Sequence, residues 1–468
     1  NVKTGDRYRD SEAAKKVLCD FYGVNISDFG GDLDAAAASI TGYNPTLAGE
    51  LFKKAFAEAK EKFGLKDSDR VEIEYAVSTA GSFITKTLDY LNTELDKVLA
   101  ESGREEALRD FLAQLPENQQ RDAAYLLTNM YVEDLKNMDL ELLRENLEYA
   151  ALAREKYEWA KALPEEVYLQ DVLPYHVVDE VRDAWRKELY EMFSPAVDTC
   201  RTMYDAVCAV NANIPRLTGV DYNTKREKTN QSPRESMRQG MASCTGLAIL
   251  LVDAYRAVGI PARFAGTASW HDNRGNHSWT EVWLDGQWRV TEYYFPSELD
   301  HLWFMADASK ANVEDRNYAI YATRFAGGDD WFPMVWADEG EDAAVEDLPK
   351  WVGAENVTQH YIDLAYDQYT RHLEAGTHTF LRIAGYKERG KTEHSDDRVA
   401  MGVDIFRGTE QMGGGLTAGE LRDMNDFFSV LLPKNTEYEL RYYNEAGELQ
   451  TQKVTLGEEE MLVEIYLK

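Results

Sequence analysis

Apolar residues recur every three to four positions in "TLAGELFKKAFAEAKEKFG", "TKTLDYLNTELDKVLAESG", "EEALRDFLAQL" and "RDAAYLLTNMYVEDLKNMDLELLRENLEYAALAREKYEWAKAL". That period turns one apolar stripe toward a common core, so it predicts helices over most of Ser11 to Glu166, with Gly64 and Gly103 as stops. The stretch "SDFGGDLDAAAASITGYNP" lacks the stripe and reads as loosely ordered. Residues 1–166 are expected to form a helical N-terminal region that packs rather than reacts.

The pattern continues as helices in "VVDEVRDAWRKELYEMF" and "AVDTCRTMYDAVCAVNANI", followed by the polar loop "DYNTKREKTNQSPRES". Between 244 and 300 one helix gives way to strands, placing a mixed core at 167–330. An acidic connector follows at 331–375. From 376 to 468 the runs "TFLRIAGY", "RVAMGVDIFRG", "DFFSVLLP", "EYELRYYNEAG", "ELQTQKVTL" and "EMLVEIYL" have strand character and turn-like breaks, the spacing of a small β-sandwich. The expected class is α+β.

One helix differs from the rest. In "RQGMASCTGLAILLVDAYRAVGIPARFAG" the residues after Cys244 are apolar nearly all round, which marks a buried helix stopped by Gly259, Ile260 and Pro261. Cys244 falls in its first turn, where unpaired N–H groups and the positive end of the helix dipole favour a thiolate.

Downstream, "HSWTEVWL" and "QWRVTEYYF" flank Asp285 and Gly286, a strong two-residue hairpin signal. Such a turn sets Leu284 opposite Gln287, Trp279 opposite Glu292 and His277 opposite Tyr294. Alternation then puts His277, Trp279, Glu292 and Tyr294 on one face and Ser278, Thr280 and Thr291 on the other. Glu292 is a diagonal neighbour of His277, close enough to bond one imidazole nitrogen and leave the other for a thiol. Thiol, imidazole and carboxylate are the groups that acyl transfer requires.

The order of a helix-start cysteine, "GIPAR", His-x-Trp-x-Glu-Val and a "DG-x-W" hairpin resembles the transglutaminase-like core of the papain-like thiol enzymes over about residues 238–300. The resemblance implies Cys244 as nucleophile, His277 as base and later acid, and the position four after Trp288, Glu292, as the orienting acid. The family usually has Asp there, which leaves Asp300 as a second candidate. Gln239 falls near where papain-like enzymes place an oxyanion donor, and Trp270 and Trp279 are candidates for a substrate groove. The fold implied is a helical N-terminal region, a papain-like transglutaminase core and a C-terminal sandwich. The activity implied is attack on an amide, with hydrolysis as a cysteine peptidase or amidase preferred. Alternatives are transglutaminase or peptide N-glycanase-like activity, or a non-catalytic peptide- or glycan-binding protein. Expected partners are a peptide, protein or glycopeptide substrate, and the resemblance suggests an exported bacterial protein, extracytoplasmic in location.

Composition narrows this further. With 83 acidic and 51 basic residues the net charge is -32, which repels polyanions at long range, so no nucleic acid is expected. No apolar run nears the roughly 20 residues of a bilayer span, and no charged-then-apolar leader precedes Asn1, as in a mature form whose export signal has been removed. Four cysteines are too few for a disulfide framework, and Cys200 and Cys208 on one helix would be out of bonding reach. No cofactor and no metal site are expected: His277 and Glu281 are ~13 Å apart along a strand, and His271 is expected in a solvated turn. "GYKERGKT" (385–392) matches the phosphate-loop pattern, but a charged hairpin turn is expected because no helix follows.

Overall fold

The computed structural model describes residues 16, 19, 24–38, 94–294, 298–327, 330–336 and 352–468. The predicted helix ending at Gly64, and residues 337–351 of the acidic connector, lie outside them. The chain divides into two compact units, Asn1–Pro174 and Tyr175–Lys468.

The first unit is helical throughout its described part. Helices Glu105–Gln114, Glu117–Asn129, Leu140–Lys156 and Glu165–Asp171 bury Leu108, Phe111, Leu126, Leu127, Leu143, Leu147 and Ala150, the stripe that the sequence spacing predicts. The stop at Gly103 takes a left-handed φ of 75°. The long helical pattern from 121 to 163 is broken into segments rather than continuous. A new helix starts at Leu140 because the Asp139 side chain accepts from the Glu141 N–H at 2.9 Å.

In the second unit, helices α1 (Arg186–Val197), α2 (Met203–Thr218), α3 (Pro233–Gln239) and α4 (Cys244–Ala257) precede the first long strands. The expected run through Cys200 is interrupted between α1 and α2, and Cys200 and Cys208 form no disulfide. Strands β1 (Ala262–Thr267), β2 (His277–Leu284), β3 (Gln287–Thr291), β4 (Ile320–Thr323), β5 (Asp330–Trp331) and β6 (Gly353–Asn356) form one sheet in the order β3-β2-β1-β4-β6-β5. Every residue of α4 after Cys244 is buried. Its leucines, isoleucine and valine each contribute about 1.5–3 kcal/mol on burial, so this helix is the unit's central post.

The β2–β3 pairing has the register that the Asp285–Gly286 turn sets, from Leu284 opposite Gln287 to Thr280 opposite Thr291. Asp285 and Gly286 take φ values of 52° and 79°, the left-handed pair that a tight hairpin demands.

The tail has strands β7 (His378–Tyr386), β8 (Gly402–Arg407), β9 (Glu410–Leu416), β10 (Phe428–Pro433), β11 (Thr436–Tyr443), β12 (Leu449–Leu456) and β13 (Met461–Tyr466). They form two sheets, β9-β8-β11-β12 and β10-β7-β13. One apolar cluster draws Leu381, Ile383, Leu432, Val463 and Ile465 from the second sheet and Val403, Ile405, Leu440 and Leu456 from the first. The segment holding "GYKERGKT" turns back on itself, with Tyr386 and Arg398 in an antiparallel bridge and the Lys387 N–H donating to the Asp397 carbonyl at 2.8 Å; it carries the chain from one sheet to the other, and no phosphate-loop helix follows.

Candidate active site

Ser243 starts α4 and thereby places Cys244. Its hydroxyl accepts from the Gly246 N–H at 3.1 Å and donates to the Thr229 carbonyl at 2.7 Å. Capping on one side and anchoring on the other fix the first turn. Two contacts then tie α4 to β2: Thr245 Oγ1 lies 3.1 Å from Ser278 Oγ, and Thr280 Oγ1 lies 3.5 Å from the Ala248 carbonyl. Thr245 and Ser278 each follow a residue of interest, so this bond brings Cys244 and His277 to one place.

Close backbone approach allows β2 to sit there. Gly266 on β1 faces Ser278, and a Cβ at Gly266 would be 2.7 Å from the His277 carbonyl and 3.2 Å from Phe332.

His277 is buried, with ring centroids of Trp303 at 4.7 Å, Phe304 at 5.3 Å and Trp279 at 5.7 Å. Its Nε2 lies 3.6 Å from Glu292 Oε2 and its Nδ1 lies 3.5 Å from Asp423 Oδ2. Both are ion-pair separations, and neither nitrogen completes a hydrogen bond. Burial alone would push the imidazole down, but Asp423, with Cys244 and Glu292, outweighs it and holds His277 well above its ordinary value. For Asp423, burial pushes up, yet the facing imidazole keeps the carboxyl below its usual range.

Glu292 is held at both ends. Trp303 Nε1 donates to its Oε2 at 3.1 Å, and Asn211 Nδ2 donates to its backbone carbonyl at 2.8 Å. These ties keep the carboxylate at ion-pair distance from the imidazole.

Sequence reasoning missed Asp423, which arrives from the segment between β9 and β10. Arg398, fully buried, donates to the carbonyls of Asp423 and Asp426. Asn425 donates its backbone N–H to Asp423 Oδ1 at 2.8 Å and its side-chain N–H to the Asn276 carbonyl at 3.0 Å. The Met424 N–H donates to Tyr222 Oη at 3.2 Å. No periodic pattern marks such a segment; the polar run "GELRDMND" reads as a loop.

Cys244, His277, Glu292, Trp279, Trp303, Tyr222, Tyr294, Arg422, Asp423 and Asp426 surround a cavity of about 30 Å³, room for roughly one water. Gln239 does not line it: it ends α3, and its Oε1 accepts from the Glu227 N–H at 3.0 Å. Trp270 also lies outside, packed against Trp279 with centroids 6.2 Å apart. Asp300 is committed elsewhere, accepting from the Arg289 guanidinium and, at 2.7 Å, from the Val290 N–H. His271 is not solvated as expected; its Nε2 lies 3.0 Å from Glu460 Oε1.

Cys244 at the head of a buried helix and His277 at the start of a hairpin strand thus line one cavity, with Glu292 and Asp423 beside the ring. Residues 192–293 match the transglutaminase-like superfamily and form a transglutaminase-like core. Comparison with curated proteins gives no match. Among solved structures the chain is similar to one from Cytophaga hutchinsonii described as a "Putative Cysteine Protease", at 20% identity and a TM-score of 0.22. That likeness takes in 26% of this chain and 42% of the other, so less than half of that protein's length is matched.

Proposed function

We propose that this protein is a thiol-dependent enzyme that cleaves an amide bond, with Cys244 as nucleophile, His277 as general base and then acid, and Glu292 as the residue that orients the imidazole. The observation that carries the reading is the gathering of Cys244 Sγ within 4.8 Å of a ring nitrogen of His277, with Glu292 3.6 Å from Nε2.

In this mechanism the proton passes from the Cys244 thiol to the imidazole before attack, giving an imidazolium that Asp423 and Glu292 stabilise, and sulfur then forms a bond to the amide carbonyl carbon. The tetrahedral intermediate collapses, the C–N bond breaks, and His277 returns the proton to the leaving amine. Water then attacks the thioester, with His277 accepting its proton, and releases a carboxylic acid and the free thiol. The oxyanion would draw on first-turn amides of α4 other than that of Gly246, which the Ser243 hydroxyl occupies. Hydrolysis is the preferred outcome over transfer to a second amine, and the substrate is a peptide or protein.

The cavity beside the sulfur is small, and Arg422, Asp423 and Asp426 of the β9–β10 segment form part of its wall. We read the two tail sheets as a β-sandwich whose β9–β10 segment supplies that wall. The resemblance suggests an extracytoplasmic location, which cell fractionation would test.

The decisive experiment is an alkylation titration of Cys244. Reaction with iodoacetamide faster than that of a free cysteine, abolished by His277→Ala, supports the enzyme. Reaction no faster than free cysteine removes the nucleophile. Incubation with a peptide library and a labelled amine separates hydrolysis from transfer, because only transfer puts label in the products.

A further inference from the structure

We propose that Cys244, His277 and Asp423 form a binding site for a zinc-like divalent metal ion, and that the bound ion silences the thiol. Binding stands on the geometry of the three side chains, whereas silencing rests on the thiol reading above.

Cys244 Sγ, a ring nitrogen of His277 and a carboxylate oxygen of Asp423 all lie within 4.8 Å of one another. Tetrahedral zinc holds such donors about 3.3–3.5 Å apart, so the group needs to contract only modestly to close on an ion. The Nδ1–Oδ2 separation is already 3.5 Å. Thiolate, imidazole and carboxylate together suit zinc better than magnesium or calcium, which prefer oxygen alone. The cavity beside them has space for a water as fourth ligand.

The surroundings are also those of a metal-bound histidine. Such a histidine usually gives its second nitrogen to a carboxylate, and here Nε2 faces Glu292, itself held by Trp303. His277 is buried with both nitrogens lacking a completed hydrogen bond. Asp423 spends Oδ1 on the Asn425 N–H and leaves Oδ2 pointing at the ring. Arg422, the cation lining the cavity, is turned to Asp426 at 3.3 Å and Glu292 at 3.9 Å. A second His-carboxylate group among the described residues, His271, Asp272 and Glu460, differs: Lys310 and Arg382 hold Glu460, and Arg274 holds Asp272, so cations already balance its charge.

On binding, the Zn–S and Zn–N bonds form at the sulfur and at one ring nitrogen, and the protons that these two atoms carried leave to solvent, while the other ring nitrogen keeps its proton toward Glu292. The sulfur's lone pair is then committed to the metal, and the ion pins the β9–β10 segment over the cavity.

The test uses the full-length, reduced, metal-free protein with Zn2+ in titration calorimetry and Co2+ in absorption spectroscopy. One ion per chain and a sulfur-to-cobalt charge-transfer band are expected, the band lost in Cys244→Ser. Asp423→Asn, with a wild-type melting profile as folding control, should weaken affinity roughly 100-fold, and Glu292→Gln about 10-fold. Zinc should block iodoacetamide alkylation and chelator should restore it. Absence of binding, or equal affinity in Asp423→Asn, overturns the site while leaving the enzyme reading intact if the metal-free thiol reacts. Binding without any reactivity of the metal-free thiol sustains the site and overturns silencing together with the enzyme reading.

Discussion

Thr245 and Ser278 share a hydrogen bond of 3.1 Å inside the core, each one position beyond a residue of the proposed dyad. Replacing one partner strands the other in a buried setting, so Thr245→Val should cost about 1–3 kcal/mol. The double change Thr245→Val with Ser278→Ala should recover part of that loss, because no polar group is then left unpaired. Urea unfolding of the cycle measures the coupling, and equal stability of the single and double variants would contradict it.

Gly266 sits where a side chain has no room. Gly266→Ala puts a Cβ 2.7 Å from the His277 backbone oxygen, a contact that only backbone movement relieves. A destabilisation of about 1–3 kcal/mol is expected, accompanied by slower alkylation of Cys244. A variant as stable and as reactive as wild type would show that β1 and β2 separate freely here.

Glu292→Gln keeps an oxygen for Trp303 but removes the charge behind the imidazole. A fall in kcat of on the order of 100-fold with little change in KM is expected on any peptide substrate the library identifies. Glu292→Asp should retain more activity than the glutamine variant, since the charge survives. A uniform rise in KM instead would assign Glu292 to substrate binding.

Asp122 in the first unit is buried beneath the Tyr168 hydroxyl, which donates to it at 2.8 Å. Burial pushes its carboxyl up from 3.8 to about 6, so the folded state holds a proton that the unfolded chain has lost. Its contribution is therefore full below pH ~4 and disappears as pH rises through about 6. Asp122→Asn should flatten that slope and stabilise the unit by up to about 3 kcal/mol at neutral pH. Melting curves between pH 4 and 7.5 would reveal it; a parallel slope in both proteins would refute it.

Arg382 on β7 is buried with Asp307, 2.6 Å from its Oδ1, and also reaches Glu460. Arg382→Met leaves the carboxylate of Asp307 with Arg274 alone and should cost about 3–5 kcal/mol. Denaturant midpoints measure this, and a loss within 0.5 kcal/mol, roughly the surface range, would remove the pair from the account.

Legibility in the sequence followed the range of the interaction. The β2–β3 hairpin could be read because two turn residues and strict alternation determine it locally. The position of Cys244 could be read because cap and buried helix lie within one short segment. Asp423 could not, since its approach depends on Arg398, Asn425 and Tyr222 meeting across distant parts of the chain. Strand β9 escaped notice for another reason. Its Gly413–Gly415 run shows no alternation, yet Gly415 is glycine because a Cβ would lie 2.6 Å from the Phe428 ring. His271 read as solvated because its partner, Glu460, is supplied by the loop leading into β13.

The origin of Asp423 bears on how this fold can be divided. A fragment ending at residue 375 would retain sulfur, imidazole and Glu292 but would carry one fewer negative charge at the ring, and it would leave Tyr222 and Asn276 uncovered. The tail is thus no detachable module: excising it would yield a protein with altered electrostatics, whose rates would describe a different molecule.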